Sequence, residues 1–123
     1  MEFKYKNEIP LEVRKADNEK AIDEHPGKIA IICEKDPKSN IAQLFQTKYL
    51  INEDFSLSHF TTIIRKKLNL KDNEALFFLA NGTKLLTGNE TMREIYKKYK
   101  DEDGFLYIAY ASQEVWGYYF KKI

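Results

Sequence analysis

Lys28-Ile29-Ala30-Ile31-Ile32-Cys33-Glu34-Lys35 is the stretch on which the reading of this chain turns. Ile29 to Cys33 is a short apolar run rich in β-branched residues, which reads as a well-buried strand. Everything before it has a different character. The first 25 residues are crowded with charge, hold only Leu11, Val13, Ala16, Ala21 and Ile22 as sparse apolar positions, and end at the breaker His25-Pro26-Gly27. Pro10 stands where a first helical residue can sit, so a short helix, a break and a longer surface helix from Leu11 to Glu24 are expected.

After the strand, Asp36-Pro37-Lys38-Ser39-Asn40 supplies turn chemistry, and Lys48-Tyr49-Leu50-Ile51 is a second short strand, able to pair with the first. Ser56 is a helix N-cap candidate. Behind it Leu57, Phe60, Ile64 and Leu68 recur at helical spacing, and Arg65, Lys66 and Lys67 fall in the last turn, where cations suit the helix dipole. Leu76-Phe77-Phe78-Leu79 reads as a strand, Asn81-Gly82 is a strong hairpin signal, and Lys84-Leu85-Leu86 would be the return strand. Thr91-Met92-Arg93-Glu94 is a capping box opening a helix with Met92, Ile95, Tyr96 and Tyr99 on one face. Phe105 to Tyr110 is the most strand-like hexamer. Without its first two helices the order is ββαβ(β)αβ, the succession of an α+β, ubiquitin-like β-grasp core in which one amphipathic helix crosses a mixed sheet.

Composition narrows the function. A chain of 123 residues, 43% of them apolar, suits one domain. Twenty basic against nineteen acidic residues, a net charge of +1, argue against nucleic acid as a partner. The single cysteine allows no intramolecular disulfide and no cysteine-based zinc site. The N-terminus lacks the apolar stretch of a signal peptide, and no run of about 18 apolar residues occurs, so a cytoplasmic protein is expected. Cys33 lies mid-strand, which fits a structural thiol better than a nucleophile. Neither His25 nor His59 has a neighbouring acid and nucleophile in sequence, and no phosphate-cradling loop occurs, so no enzyme is expected.

Several segments in order and at near-family spacing carry a resemblance. They are Phe3-Lys4-Tyr5-Lys6, the strand from Ile29 to Lys35, Lys48-Tyr49-Leu50-Ile51, Ile63-Ile64-Arg65-Lys66-Lys67, Ala75-Leu76-Phe77-Phe78 and Phe105 to Tyr110. Together they resemble the autophagy-related ubiquitin-like modifiers of the GABARAP type over nearly the whole chain up to Gly117. The resemblance implies a single domain over residues 1–117, with a helical extension (1–26), a β-grasp core (27–110) and a flexible conjugation tail (111–117). Residues 118–123 would be a processing segment.

Taken alone, Gly117 is an incidental tail glycine. With the resemblance it becomes the site where a cysteine protease trims the chain, and activating and conjugating enzymes then carry it as thioesters. Its carboxyl would finally be joined to the amine of phosphatidylethanolamine, a covalent modification, with no other cofactor implied. A membrane-attached pool on autophagosomes or related vesicles follows, and the protein would otherwise be a cytoplasmic monomer. The alternative is a non-covalent β-grasp interaction module that is not conjugated.

The resemblance also implies a docking surface for receptor and adaptor proteins with aromatic-x-x-aliphatic motifs, added as a strand beside Lys48 to Ile51. Asp17, Ala21, Ile32, Lys48, Leu50 and Phe105 would form the aromatic pocket. Tyr49, Ile51, Phe55, Phe60 and Ile63 would form the aliphatic one. Lys28, Lys48 and Arg65 would attract flanking acidic residues. The chain departs from the family pattern at Ala30 and Asn52, where proline is frequent, at Gln46, where lysine is common, and at the small Ala21. Those changes bear on partner preference more than on fold.

Overall fold

The computed structural model describes residues 1–113. In it β1 (Lys28–Lys35) is sealed on both faces, Ile31, Ile32 and Cys33 being wholly inaccessible. A strand covered on both sides must be apolar throughout, which is why the run at Ile29 to Cys33 has no polar alternation. It pairs antiparallel with β2 (Lys48–Asn52), Lys28 opposite Asn52 and Ile32 opposite Lys48. On its other side it pairs parallel with β5 (Leu106–Ala111), Ile31 opposite Leu106 and Lys35 opposite Tyr110. β3 (Phe77–Ala80) runs antiparallel to β5 and β4 (Lys84–Leu85) antiparallel to β3, giving the order β2-β1-β5-β3-β4.

Strand alternation divides the core into two. Ile29, Ile31, Cys33, Ile51 and Ile108 pack with Phe60 and Ile64 of α3 (Leu57–Leu68) and with Met92 and Ile95 of α4 (Met92–Tyr99). Ala30, Ile32, Phe105, Tyr107 and Ala109 form a second cluster with Phe3 and half-buried Tyr5 and Leu50. The two helices begin as expected. The Ser56 hydroxyl accepts the His59 N–H at 3.1 Å, and the Thr91 hydroxyl accepts the Glu94 N–H at 3.2 Å. Leu57, Phe60, Ile64 and Leu68 are all buried. Asn81 and Gly82 both take positive φ, 55° and 75°, and the Thr83 N–H closes the turn on the Ala80 carbonyl at 3.1 Å. That is the mirror-image turn that matches strand twist.

The N-terminal helices α1 (Lys4–Glu8) and α2 (Leu11–Glu24) follow the expected order but not the expected anchoring. Pro10 takes the N-cap position, and the buried residues of α2 are Arg14 and Asn18, while Val13 is 48% exposed. The Arg14 guanidinium donates to Asp103 at 2.8 Å and to the Lys6 and Ile9 carbonyls at 3.1 and 2.6 Å. Asp103 in turn accepts the Tyr107 hydroxyl at 2.6 Å and the Phe105 N–H at 2.8 Å. Glu34 of β1 accepts the Lys4 and Tyr5 N–H groups at 2.7 and 3.0 Å, filling orphan donors at the start of α1.

One boundary moves. The last strand begins at Leu106 and includes Ala111, which is buried and pairs with Phe77, so the tail placed from residue 111 starts after it. Gly117 and the segment 118–123 lie outside the described residues.

Candidate peptide-docking site

β2 is an edge strand, and its backbone parity decides which groups face outward. The Cys33 N–H donates to the Thr47 carbonyl and the Glu53 N–H to the Gly27 carbonyl, so positions 47, 49, 51 and 53 exchange bonds with β1. In an antiparallel pair the intervening residues turn their N–H and C=O away. Lys48 and Leu50 therefore present backbone groups along the open edge. The Lys48 carbonyl accepts a short bond from the Gln46 side-chain amide.

Beside this edge, a cleft of about 430 Å³ opens between α2 and β2. Ala21, Ala30, Leu50 and Phe105 supply apolar wall, with Asp17 and Lys48 at its margin. The Lys48 ammonium lies 3.7 Å from the Asp17 carboxylate, 4.9 Å from the Tyr5 ring centroid and 6.0 Å from that of Phe105. The Tyr5 hydroxyl donates to Asp17 at 3.0 Å, and burial, reinforced by that bond and the carboxylate charge, pushes its phenol well above the ordinary range. An aromatic side chain entering here meets apolar walls and a cation poised over rings.

Five of the six residues expected in the aromatic pocket, Asp17, Ala21, Lys48, Leu50 and Phe105, line this cleft. Ile32 does not: it is wholly buried in the cluster behind it. The sequence reading missed Lys20 and Glu24, which share the helix face of Asp17 and Ala21 at three- and four-residue spacing and were recoverable from it. It also missed His25, just past the helix, and Ala30 and Gln46, two of the departures from the family pattern, as well as Tyr49, which it had assigned elsewhere.

The aliphatic set is arranged differently from the expectation. Phe60 is wholly buried on the α3 packing stripe, and Tyr49 and Ile51 are only 6% exposed. The Tyr49 hydroxyl donates to the Gln46 carbonyl at 2.6 Å, and burial pushes its phenol up to about 12. Phe55 and Ile63 remain half-buried, and the Phe55 ring lies flat on His59, centroids 3.8 Å apart. In this conformation the surface there is Phe55 and Ile63, with the other three behind them as core.

Two of the three cations are also placed differently. Arg65 donates to the Glu74 and Lys71 carbonyls at 2.7 and 2.6 Å, so its guanidinium clamps the connection after α3. Lys28 lines a separate cleft with Glu53 and Arg93, at the far end of β2 from Lys48. Cys33 is wholly buried, and burial drives its thiol far above the ordinary range, which leaves it inert as a nucleophile. Among the described residues no cluster of ligating side chains suits a metal, and no helix is long and apolar enough to cross a membrane.

Residues 3–117 match the family described as autophagy protein Atg8, ubiquitin like. The chain belongs to the Atg8 family. It is 36% identical over 118 residues to autophagy-related protein 8 of Candida glabrata, covering 96% of this chain and 99% of that protein. The crystal structure of Trypanosoma brucei ATG8 matches it with a TM-score of 0.86 at 39% identity, over 92% of this chain and 97% of that one. This Atg8-family chain is thus a ubiquitin-like protein of autophagy, and the mixed sheet with four helices among the described residues is the family's fold. The family resemblance read from the sequence segments is correct.

Proposed function

We propose that the protein is a membrane-conjugated modifier and adaptor. A cysteine protease trims it after Gly117, activating and conjugating enzymes pass it along as thioesters, and phosphatidylethanolamine finally accepts it. In that last step the lipid amine attacks the thioester carbonyl, an amide forms, and the enzyme thiol leaves. Glycine suits this chemistry because no side chain hinders attack at its carbonyl. The family match ends on Gly117, which supports that residue as the new C-terminus. Two acyl chains then hold the domain on a bilayer, at ~0.8 kcal/mol per buried methylene, where one chain anchors only marginally.

On the membrane the protein recruits receptors carrying aromatic-x-x-aliphatic segments. The observation that carries this reading is the outward edge of β2 at Lys48 and Leu50, running beside the 430 Å³ cleft. Backbone bonds to the edge provide affinity, the cleft takes the aromatic anchor, and Phe55 and Ile63 meet the aliphatic one.

Intact-mass measurement of soluble and membrane fractions from starved native cells tests the first half. A membrane form ending at Gly117 with phosphatidylethanolamine added is expected, and Gly117→Ala should abolish it. A chain ending at Ile123 in both fractions would leave only the non-covalent module. For the second half, calorimetric titration with an aromatic-x-x-aliphatic peptide should show Leu50→Ala weakening binding about tenfold or more, at unchanged circular dichroism. Equal affinity in the variant would remove the docking assignment.

A further inference from the structure

A second cleft, about 470 Å³, lies where the end of α2, the Gly27 turn and the start of β1 meet α4. Its floor is apolar, made of buried Ile29 and half-buried Ile22 and Tyr96. Its rim is cationic. Lys28, Lys97 and Lys100 are all exposed, and none has a carboxylate partner among the described residues. Some lysines elsewhere do have one: Lys6 pairs with Asp101, Lys48 with Asp17 and Lys98 with Glu90. Arg93 adds a fourth cation to the cleft but is held by Glu53 and Asp54 at 2.8 and 2.6 Å.

The chain as a whole carries only +1, so this gathering is local. Lys100 leans over the floor, its ammonium 5.6 Å from the Tyr96 ring centroid. Like charges around one depression repel each other until an anion arrives, and a rim of this kind steers and selects acidic partners.

We propose that this cleft is a second docking site, taking an acidic segment of a partner protein. An apolar side chain of that segment rests on Ile22, Ile29 and Tyr96, and its flanking carboxylates reach Lys28, Lys97 and Lys100. The topology favours a protein over a bilayer as occupant. The cleft is at the Lys28 end of β1, whereas β5 runs parallel to β1 and leaves the sheet at the Lys35 end. Eight strand residues separate those poles by roughly 23 Å. A chain anchored beyond Ala111 therefore turns this cleft away from its own membrane; the choice of occupant, though not the site, rests on the Gly117 reading.

The test uses the full 123-residue chain, unlipidated and ¹⁵N-labelled, titrated with the peptide EELEELEE, which contains no aromatic residue. Amide shifts should concentrate at Lys28, Tyr96, Lys97 and Lys100, and affinity should fall steeply with added salt. The double variant Lys28→Glu, Lys97→Glu should bind about tenfold more weakly, and Leu50→Ala as tightly as the unaltered chain. Shifts confined to Lys48 and Leu50, with binding lost in Leu50→Ala, would assign the acidic peptide to the β2 edge and overturn the proposal. So would absence of binding at millimolar peptide. Preferential binding to phosphatidylserine vesicles that depends on Lys28 and Lys97 would make the cleft a membrane contact and overturn it equally. None of these results depends on conjugation, so failure at Gly117 and failure at this cleft are separately visible.

Discussion

At position 14 an arginine points into the protein, and with Asn18 it is one of the two buried residues of α2. Its side chain is 7% exposed and that of Asp103 is not exposed at all. The pair is supported by further bonds on both sides: Arg14 Nη1 donates to two backbone carbonyls, and Asp103 accepts the Tyr107 hydroxyl and the Phe105 N–H. Arg14→Ala leaves a buried carboxylate without its cation, and a loss of about 3–5 kcal/mol is expected in urea unfolding. The double variant Arg14→Met, Asp103→Asn removes the orphaned charge and should recover part of that loss. An equal loss in both would trace the effect to helix packing instead. Gly104 belongs to the same region: at φ 95° a Cβ there would lie 2.3 Å from Asn18 Oδ1, so the turn and the inward face of α2 require a glycine.

At the scale of elements, the helices that cross the sheet were legible because their signals are local. Ser56 and Thr91 each accept an N–H three residues on, and the apolar stripe behind Ser56 is the buried one. Ser56→Ala should lower stability by about 1 kcal/mol, read as a shifted urea midpoint at unchanged slope, and Thr91→Ala by a similar amount. An unmoved midpoint would mean that neither hydroxyl matters to its helix end. α2 shows the opposite case. Its face toward the core is polar, so an apolar period was the wrong signal to seek, and Leu11, Val13 and Ala16 gave no guide to its orientation. The docking cleft was legible only in part for a related reason. Asp17, Ala21, Lys48, Leu50 and Phe105 converge on it, yet Ile32 and Phe60 lie in the packed interior, and strand and helix periods cannot tell a pocket wall from core.

For the whole molecule, the two-sided core makes the fold sensitive to alkali. Burial, with a smaller contribution from the nearby Cys33, raises Tyr49 from 10.0 to about 12. Burial also raises Tyr110 to about 12, partly opposed by the Leu44 N–H bonded to its hydroxyl. Both phenols are protonated in either state below the ordinary phenol range. Between pH 10 and 12 the unfolded chain releases these protons while the folded chain keeps them. Stability that is complete below pH 10 is therefore lost progressively as the pH rises to about 12. Absorbance titration should show a delayed class of tyrosines whose ionisation coincides with loss of near-ultraviolet dichroism. Tyr49→Phe should reduce the steepness of that loss, and an unchanged profile would place the sensitivity elsewhere.

The sequence by itself determined the element order, the buried strand at Ile29 to Cys33, the helix starts, the tight turn at Asn81-Gly82 and, through segment resemblance, the family. All but the family, which rests on six segments in order along the chain, are carried by residues within a few positions of one another, where backbone geometry and side-chain period act directly. Tertiary structure alone decided that Arg14 meets Asp103, 89 residues away, and that Arg65 serves a loop. It alone withdrew Ile32 and Phe60 into the packed interior and set Lys28 at a second cleft, away from the docking edge. Those outcomes depend on which surfaces remain after the sheet and helices have buried their apolar faces, and that remainder is a property of the assembled fold.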